Sequence, residues 1–205
     1  MAKNTAKLST DNRFFRFMDE VGDWIILNML FILTSLPLIT VGMSLTALYK
    51  VALRKCRGEA TYIAREYFQA CKEEWKKGTL LWLLFFFTGA LLVFDILYTG
   101  EWGVVFSLLM GCLMVIWIFL FSYAFPLQAR FENSFRNTLK NSLLLSIKYF
   151  PYTLVIVALN MIPVICFAAG TFVTMMAVPI YCFIGIGLTV RVNCFFFGRV
   201  FKELM

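Results

Sequence analysis

Few side chains in this 205-residue sequence could do chemistry. There is no histidine, the commonest general base and transition-metal ligand, so Ser-His-Asp catalysis and histidine-built metal sites are excluded. The six cysteines, Cys56, Cys71, Cys112, Cys166, Cys182 and Cys194, show no Cys-x-x-Cys spacing and read as small hydrophobes. Because no carboxylates pair within an apolar run, we expect neither catalysis nor a resident cofactor or metal. What remains are isolated polar groups in apolar surroundings. Asp95 is the one acidic residue close to the interior of such a stretch; it marks a proton or ion path unless it reaches interfacial water. Asn160 lies one turn before Pro163 and either binds a ligand or hydrogen-bonds a neighbouring helix, and Asn28 carries the same two readings. Pro37 and Gly42 interrupt an apolar run amid Thr34, Ser35, Thr40, Ser44 and Thr46. Such an interruption is either a short external turn or the lining of a substrate path. The path candidates are therefore Pro37, Thr40, Gly42, Thr46, Asp95 and Asn160.

These groups must be held by elements suited to a bilayer. Hydrophobic residues make up 61% and charged residues 15%, against roughly 45–50% and 25% in soluble domains, and the mean hydropathy is +0.80. Four runs carry no charge: 24–49, 78–94, 102–129 and 149–190. About twenty apolar residues cross a hydrocarbon core, so the last run fits two spans hinged at Ala168, Ala169 and Gly170, while the second and third form a tight hairpin. All 19 Lys and Arg residues fall within 3–16, 50–77, 130–148 and 191–202. If the first run crosses once, the N-terminal cluster breaks the positive-inside bias; if it goes in and returns, every positive charge is cytoplasmic. The return is preferred.

The expected architecture is thus an all-α integral membrane protein, one transmembrane domain over 1–205. Three helical hairpins span about 24–57, 78–129 and 149–190, giving five to six membrane segments with the first hairpin broken at Pro37–Gly42. Amphipathic cytoplasmic interfacial helices precede them at about 11–23, 59–77 and 130–148, and both termini are cytoplasmic. In the middle stretch Ala64, Tyr67, Phe68, Cys71 and Trp75 form an apolar stripe opposite Arg65, Glu66, Gln69, Lys72, Glu73 and Lys76. The basic segment 50–77 is drawn to anionic lipid. Arg65, Glu66, Lys72, Glu73 and Lys76 are also candidates for docking a cytoplasmic partner. The net charge of +7 is accounted for by membrane orientation, so nucleic acid is not expected as a partner.

Leu36-Pro37, Thr40-Val41-Gly42, Leu45-Thr46-Ala47-Leu48-Tyr49, Arg57-Gly58-Glu59 and Glu66-Tyr67-Phe68-Gln69-Ala70, running on to Thr79-Leu80-Leu81-Trp82, resemble the YesL-type family of bacterial membrane proteins. The similarity continues through Phe131-Glu132-Asn133-Ser134 and Arg136-Asn137-Thr138-Leu139-Lys140-Asn141. Glu66 stands where the family usually has Asp, and Cys71 where it often has an aromatic; both keep the amphipathic pattern. The resemblance implies a small polytopic protein of the bacterial plasma membrane, associated by context with carbohydrate uptake systems, including sugar ABC transporters, and it maps no catalytic residue onto this chain. The expected function is a non-catalytic accessory or assembly protein, its partners the bilayer and either transporter subunits or further copies of itself. The alternative is a small transporter or channel with a path beside the Pro37–Gly42 break.

Overall fold

The long uncharged runs become helices because a backbone in lipid must satisfy its polar groups internally. The computed structural model describes residues 13–59, 62–98, 103–131 and 133–202, with side chains described from Phe17 onward. The start of the stretch expected over 11–23, residues 99–102 and Glu132 lie outside that set. The described residues are helical, without a strand: α1 (Arg13–Ser35), a 3-10 turn (Leu38–Thr40), α2 (Val41–Cys56), α3 (Ile63–Tyr98), α4 (Val104–Arg130), α5 (Phe135–Lys148), α6 (Phe150–Ala168), α7 (Thr171–Ile180), a π-helical segment (Tyr181–Gly185) and α8 (Ile186–Lys202).

Four helices are long and apolar enough to cross a membrane: α3, α4, α6 and the continuous stretch Thr171–Lys202. Their most apolar windows are largely unburied, and no residue of that of α4 is buried, as expected where lipid is the solvent. Neither α1 nor α2 is among them, which leaves four of the five to six segments read from the sequence. α2 is only 16 residues long and carries Lys50, Arg54 and Lys55, and its Met43, Ser44, Thr46, Ala47, Leu48 and Tyr49 are all enclosed by protein. α2 packs against α1, α3, α4 and α8 and forms the centre of the bundle. Asp23 of α1 pairs with Lys55 of α2, so the chain returns alongside itself after the 3-10 turn.

Of the stretch expected over 59–77 as a separate interfacial helix, residues 60 and 61 lie outside the described set and Ile63 onward is the first part of α3, which runs unbroken for 36 residues. At 1.5 Å per residue that is about 54 Å, well beyond a hydrocarbon core of about 30 Å. By contrast α5 is a separate helix; Phe135 and Leu139 pack on the core while Arg136 and Lys140 are exposed. The break between α6 and α7 falls at Gly170, whose φ of +112° is open to glycine without strain.

The core gathers at the end of the bundle that carries the Lys and Arg clusters. Tyr67, Tyr123, Phe125 and Phe197 are its largest fully buried side chains. Tyr49 and Tyr123 both meet Phe197 edge to face, and Phe197 stacks on Phe201. Glycines permit the closest approaches. A Cβ on Gly42 would lie 2.2 Å from the Gly78 carbonyl oxygen and 2.3 Å from Cβ of Trp82, so α2 and α3 touch backbone to backbone there.

Candidate functional site

The Pro37–Gly42 break closes on itself. Thr40 Oγ1 lies 2.6 Å from the Thr34 carbonyl oxygen and 2.7 Å from that of Pro37, both groups it can donate to in closing the turn. Thr46 donates to the Gly42 carbonyl at 2.8 Å, and Thr34 Oγ1 meets Tyr67 Oη of α3 at 2.6 Å. Leu36, Leu38 and Ile39 are exposed, and Gly42 is clamped on Gly78. Threonine hydroxyls thus meet the carbonyls of Thr34, Pro37 and Gly42 around the break.

The other path candidates lie elsewhere. Asp95 is half-buried near the far end of α3. Asn160 on α6 accepts a 2.9 Å hydrogen bond from Nδ2 of Asn193 on α8, and the same amide reaches Tyr49 Oη of α2 at 3.3 Å. Asn160 is thus one corner of a polar link joining three helices. Pro37, Thr40, Gly42 and Thr46 form one group, while Asp95 and Asn160 stand apart from it.

Asn28 does more than the sequence indicated. It is fully buried on α1; its Nδ2 donates to the carbonyl oxygens of Tyr181, at 3.2 Å, and of Cys182, while its Oδ1 accepts from the Gly187 N–H at 2.9 Å. A π-helical turn disturbs the regular carbonyl ladder, and the Asn28 amide supplies partners at this one. Gly187 allows the approach, since a Cβ there would lie 2.9 Å from the Trp24 carbonyl oxygen.

The docking candidates all belong to the first turns of α3. Arg65, Lys72, Glu73 and Lys76 are exposed and Glu66 is half-buried. The two acids face back toward α2: Glu66 lies 3.4 Å from Arg54, and Glu73 2.8 Å from Lys50. Lys72, Lys76 and Lys77 lie beside Trp75, which is 53% exposed, and Arg65 is exposed further toward the start of the helix. A shallow recess of about 520 Å³ runs between Lys72, Glu73, Trp75, Lys76 and Lys77. The resulting face is basic, with an aromatic at its centre.

Behind it lies a buried carboxylate that sequence reading missed. Glu74 is 7% exposed, sits 3.6 Å from Lys50 Nζ and accepts from Gln128 Nε2 of α4 at 3.2 Å. Gln128 Oε1 in turn accepts from Thr138 of α5 at 3.0 Å. Burial alone would pull the Lys50 ammonium down, but its hydrogen bond to Glu73 and the charges of Glu73 and Glu74 outweigh it and raise its pKa. One chain of polar contacts thereby ties α2, α3, α4 and α5. The signal was present: Tyr67, Ala70, Cys71, Glu74, Gly78, Leu81 and Phe85 recur at three- and four-residue spacing, and Glu74 is the acid in that buried stripe.

Comparison with known families adds one finding. Residues 24–96 match the family model described as "Protein of unknown function, DUF624". The YesL-type resemblance is consistent with this family, whose function is uncharacterised. No curated protein and no solved structure matches the chain. The DUF624 match begins at Trp24 and ends near the far end of α3, so it takes in Asn28, the Pro37–Gly42 turn, the Gly42–Gly78 contact, Glu74 and the basic face of α3.

Proposed function

We propose that this chain is a non-catalytic accessory protein of the bacterial plasma membrane that docks an acidic cytoplasmic surface of a carbohydrate uptake system, such as a sugar ABC transporter subunit. The observation that carries this reading is the projection of α3: a helix of about 54 Å exceeds the whole bilayer, and its extra turns present exposed Arg65 and, around exposed Trp75, Lys72, Lys76 and Lys77. Exposed aromatics are enriched at protein interfaces, and the basic charge of this face selects an acidic partner. The positive-inside bias places that end in the cytoplasm, with both termini on the same side. The carbohydrate context rests on the YesL-type resemblance. A path beside the Pro37–Gly42 break has less support, because Thr40 and Thr46 bond to neighbouring carbonyls and Asn160 stands apart from them, bonded to Asn193.

The test is affinity purification from membranes in mild detergent. Wild type is expected to recover a transporter or sugar-pathway component, and Arg65→Glu/Lys72→Glu/Lys76→Glu, which alters only exposed side chains, to lose it. Recovery of no such component by wild type, or equal recovery by the variant, refutes the proposal.

A further inference from the structure

A second basic feature lies on a different face, formed where the start of α1 and the ends of α2, α4 and α8 converge. A cavity of about 550 Å³ opens there, and its wall holds five cations, Lys55, Arg57, Arg130, Arg191 and Lys202, against the single carboxylate of Glu20. Within this wall Arg191 pairs with Glu20 at 2.5 Å, Lys55 with Asp23, and Arg57 with Glu59 at 2.7 Å. The rest of the wall is apolar, including Leu53, Phe195 and Phe201. Phe195 is 57% exposed, so apolar surface continues from the cavity to the outside of the bundle.

An independent observation points to a missing acceptor. Trp24 belongs to this wall and is 3% exposed, yet its indole Nε1 is buried without a hydrogen-bond partner among the described residues. A buried N–H left unmatched is costly, and native structures rarely tolerate one. Arg191 lies over the same indole, its guanidinium carbon 5.8 Å from the ring centroid. An anion with several oxygens entering here would meet guanidinium groups suited to bidentate bonding and could accept from the indole as well.

We propose that this cavity binds the phosphate of an anionic phospholipid headgroup, its acyl chains leaving across Phe195 into the bilayer. Basic pockets between helices on the cytoplasmic side suit such headgroups. The mixed lining is the discriminating feature, since a free phosphate would leave the apolar wall unused. Binding ties the ends of four helices together, so it stabilises the folded protein by mass action.

The test uses the full-length protein in a neutral detergent, with dioctanoyl phosphatidylglycerol, dioctanoyl phosphatidylcholine or inorganic phosphate added. Two readouts are followed: thermal stability, and alkylation of Cys56, an exposed thiol in the same wall, resolved by peptide mass spectrometry with exposed Cys182 as the internal control. Phosphatidylglycerol is expected to raise the midpoint and slow alkylation of Cys56 but not of Cys182, while phosphatidylcholine and phosphate do neither. Trp24→Phe removes the indole N–H together with the five-membered ring, so it is expected to melt below wild type without lipid through the cavity it leaves, and from that baseline to bind phosphatidylglycerol several-fold more weakly. Lys202→Gln is expected to weaken binding about fivefold, the effect of one surface charge near an anionic headgroup. Equal responses to the two lipids, or a phosphatidylglycerol response unchanged in both variants, overturns the proposal. Phosphate reproducing the full lipid response overturns the lipid as occupant.

Discussion

Replacing Gly42 by Ala is the sharpest perturbation of the bundle's centre. The added methyl would sit 2.2 Å from the Gly78 carbonyl oxygen and 2.3 Å from Cβ of Trp82, whereas ordinary van der Waals contact begins at 3.4 Å. Both neighbours belong to the backbone or its first side-chain atom, so no rotamer change relieves the clash and the two helices must part by roughly 1 Å. A gap of that size forfeits a quarter to a half of the dispersion well at each affected contact. Overpacking of this kind costs about 1–3 kcal/mol, and the absence of a yielding side chain places Gly42→Ala at about 3. Alanine's better helix propensity returns up to about 1 kcal/mol, leaving a net loss of about 2. For a chain of this length that lowers the thermal midpoint by about 4–8 °C. Gly22→Ala is the control: nothing lies within 4 Å of a Cβ there, so the same chemical change is expected to be neutral or to stabilise by about 0.5–1 kcal/mol. Thermal unfolding of detergent-purified protein, followed by tryptophan emission and by retention of the monodisperse peak, reads both. If Gly42→Ala melts at or above wild type, or no lower than Gly22→Ala, the α2–α3 contact does not hold the core.

Three further outcomes follow from the polar contacts. Asn28→Leu, close in volume, removes three hydrogen bonds at once and orphans the carbonyls of Tyr181 and Cys182 together with the Gly187 N–H; it is expected to cost about 2 kcal/mol, whereas Asn160→Leu, which removes one bond, costs under about 1 by the same melting assay. Glu74→Ala strands Gln128 and leaves Lys50 with Glu73 alone, an expected loss of about 2 kcal/mol, and Glu74→Gln about half of that; equal stability of both variants and wild type would show that the network is idle. The Cys56 thiol is lowered to about 7 by its hydrogen bond with Cys194, with Arg191 and Lys55 assisting against burial. Its alkylation by iodoacetamide is therefore expected to be half-maximal near pH 7, on the acid side of the ordinary cysteine value of about 8.5, and a midpoint at the ordinary value would show that these neighbours do not act on it.

The features of the chain legible in sequence are those written in charge and in backbone chemistry. Uncharged runs located the apolar parts of α3 and α4, Gly170 marked the turn dividing the last run, and Pro37 marked the turn between α1 and α2. The continuity of α3 was not legible, because the change from a charged face to an apolar run at Gly78 looks like a boundary, yet nothing there stops a helix: the residues before it are good helix formers and Gly78 is needed for contact with Gly42. The burial of α2 was hidden for a different reason. A segment enclosed by lipid and one enclosed by protein both lack charge, and only the density of Ser44, Thr46 and Tyr49, groups needing partners, separates them. Glu74 and Asn193 escaped because each sits singly in an apolar stripe, and their partners, Gln128 and Asn160, are 54 and 33 residues away in sequence.

The distribution of polar contacts bears on where the protein can work. Between helices in lipid there is little hydrophobic driving force, so association depends on close packing, small residues and interhelical hydrogen bonds. Glu74 with Gln128, Asn160 with Asn193, Tyr123 with Thr153, and Asn28 with the π-helical turn all lie in or beside the core. The arms beyond it, formed by the far parts of α3, α4, α6 and α7, carry exposed Leu97, Val105, Phe167, Phe172 and Met175 and owe their shape largely to their own backbone hydrogen bonds. A ligand or partner acting on those arms would meet apolar surface little different from lipid, with few polar groups to fix its orientation. At the opposite end a rigid, hydrogen-bonded core presents two distinct basic features, the outer face of α3 and the cavity beside Trp24. Specific recognition requires fixed polar groups on a firm support, and in the described residues that combination is concentrated at the basic end.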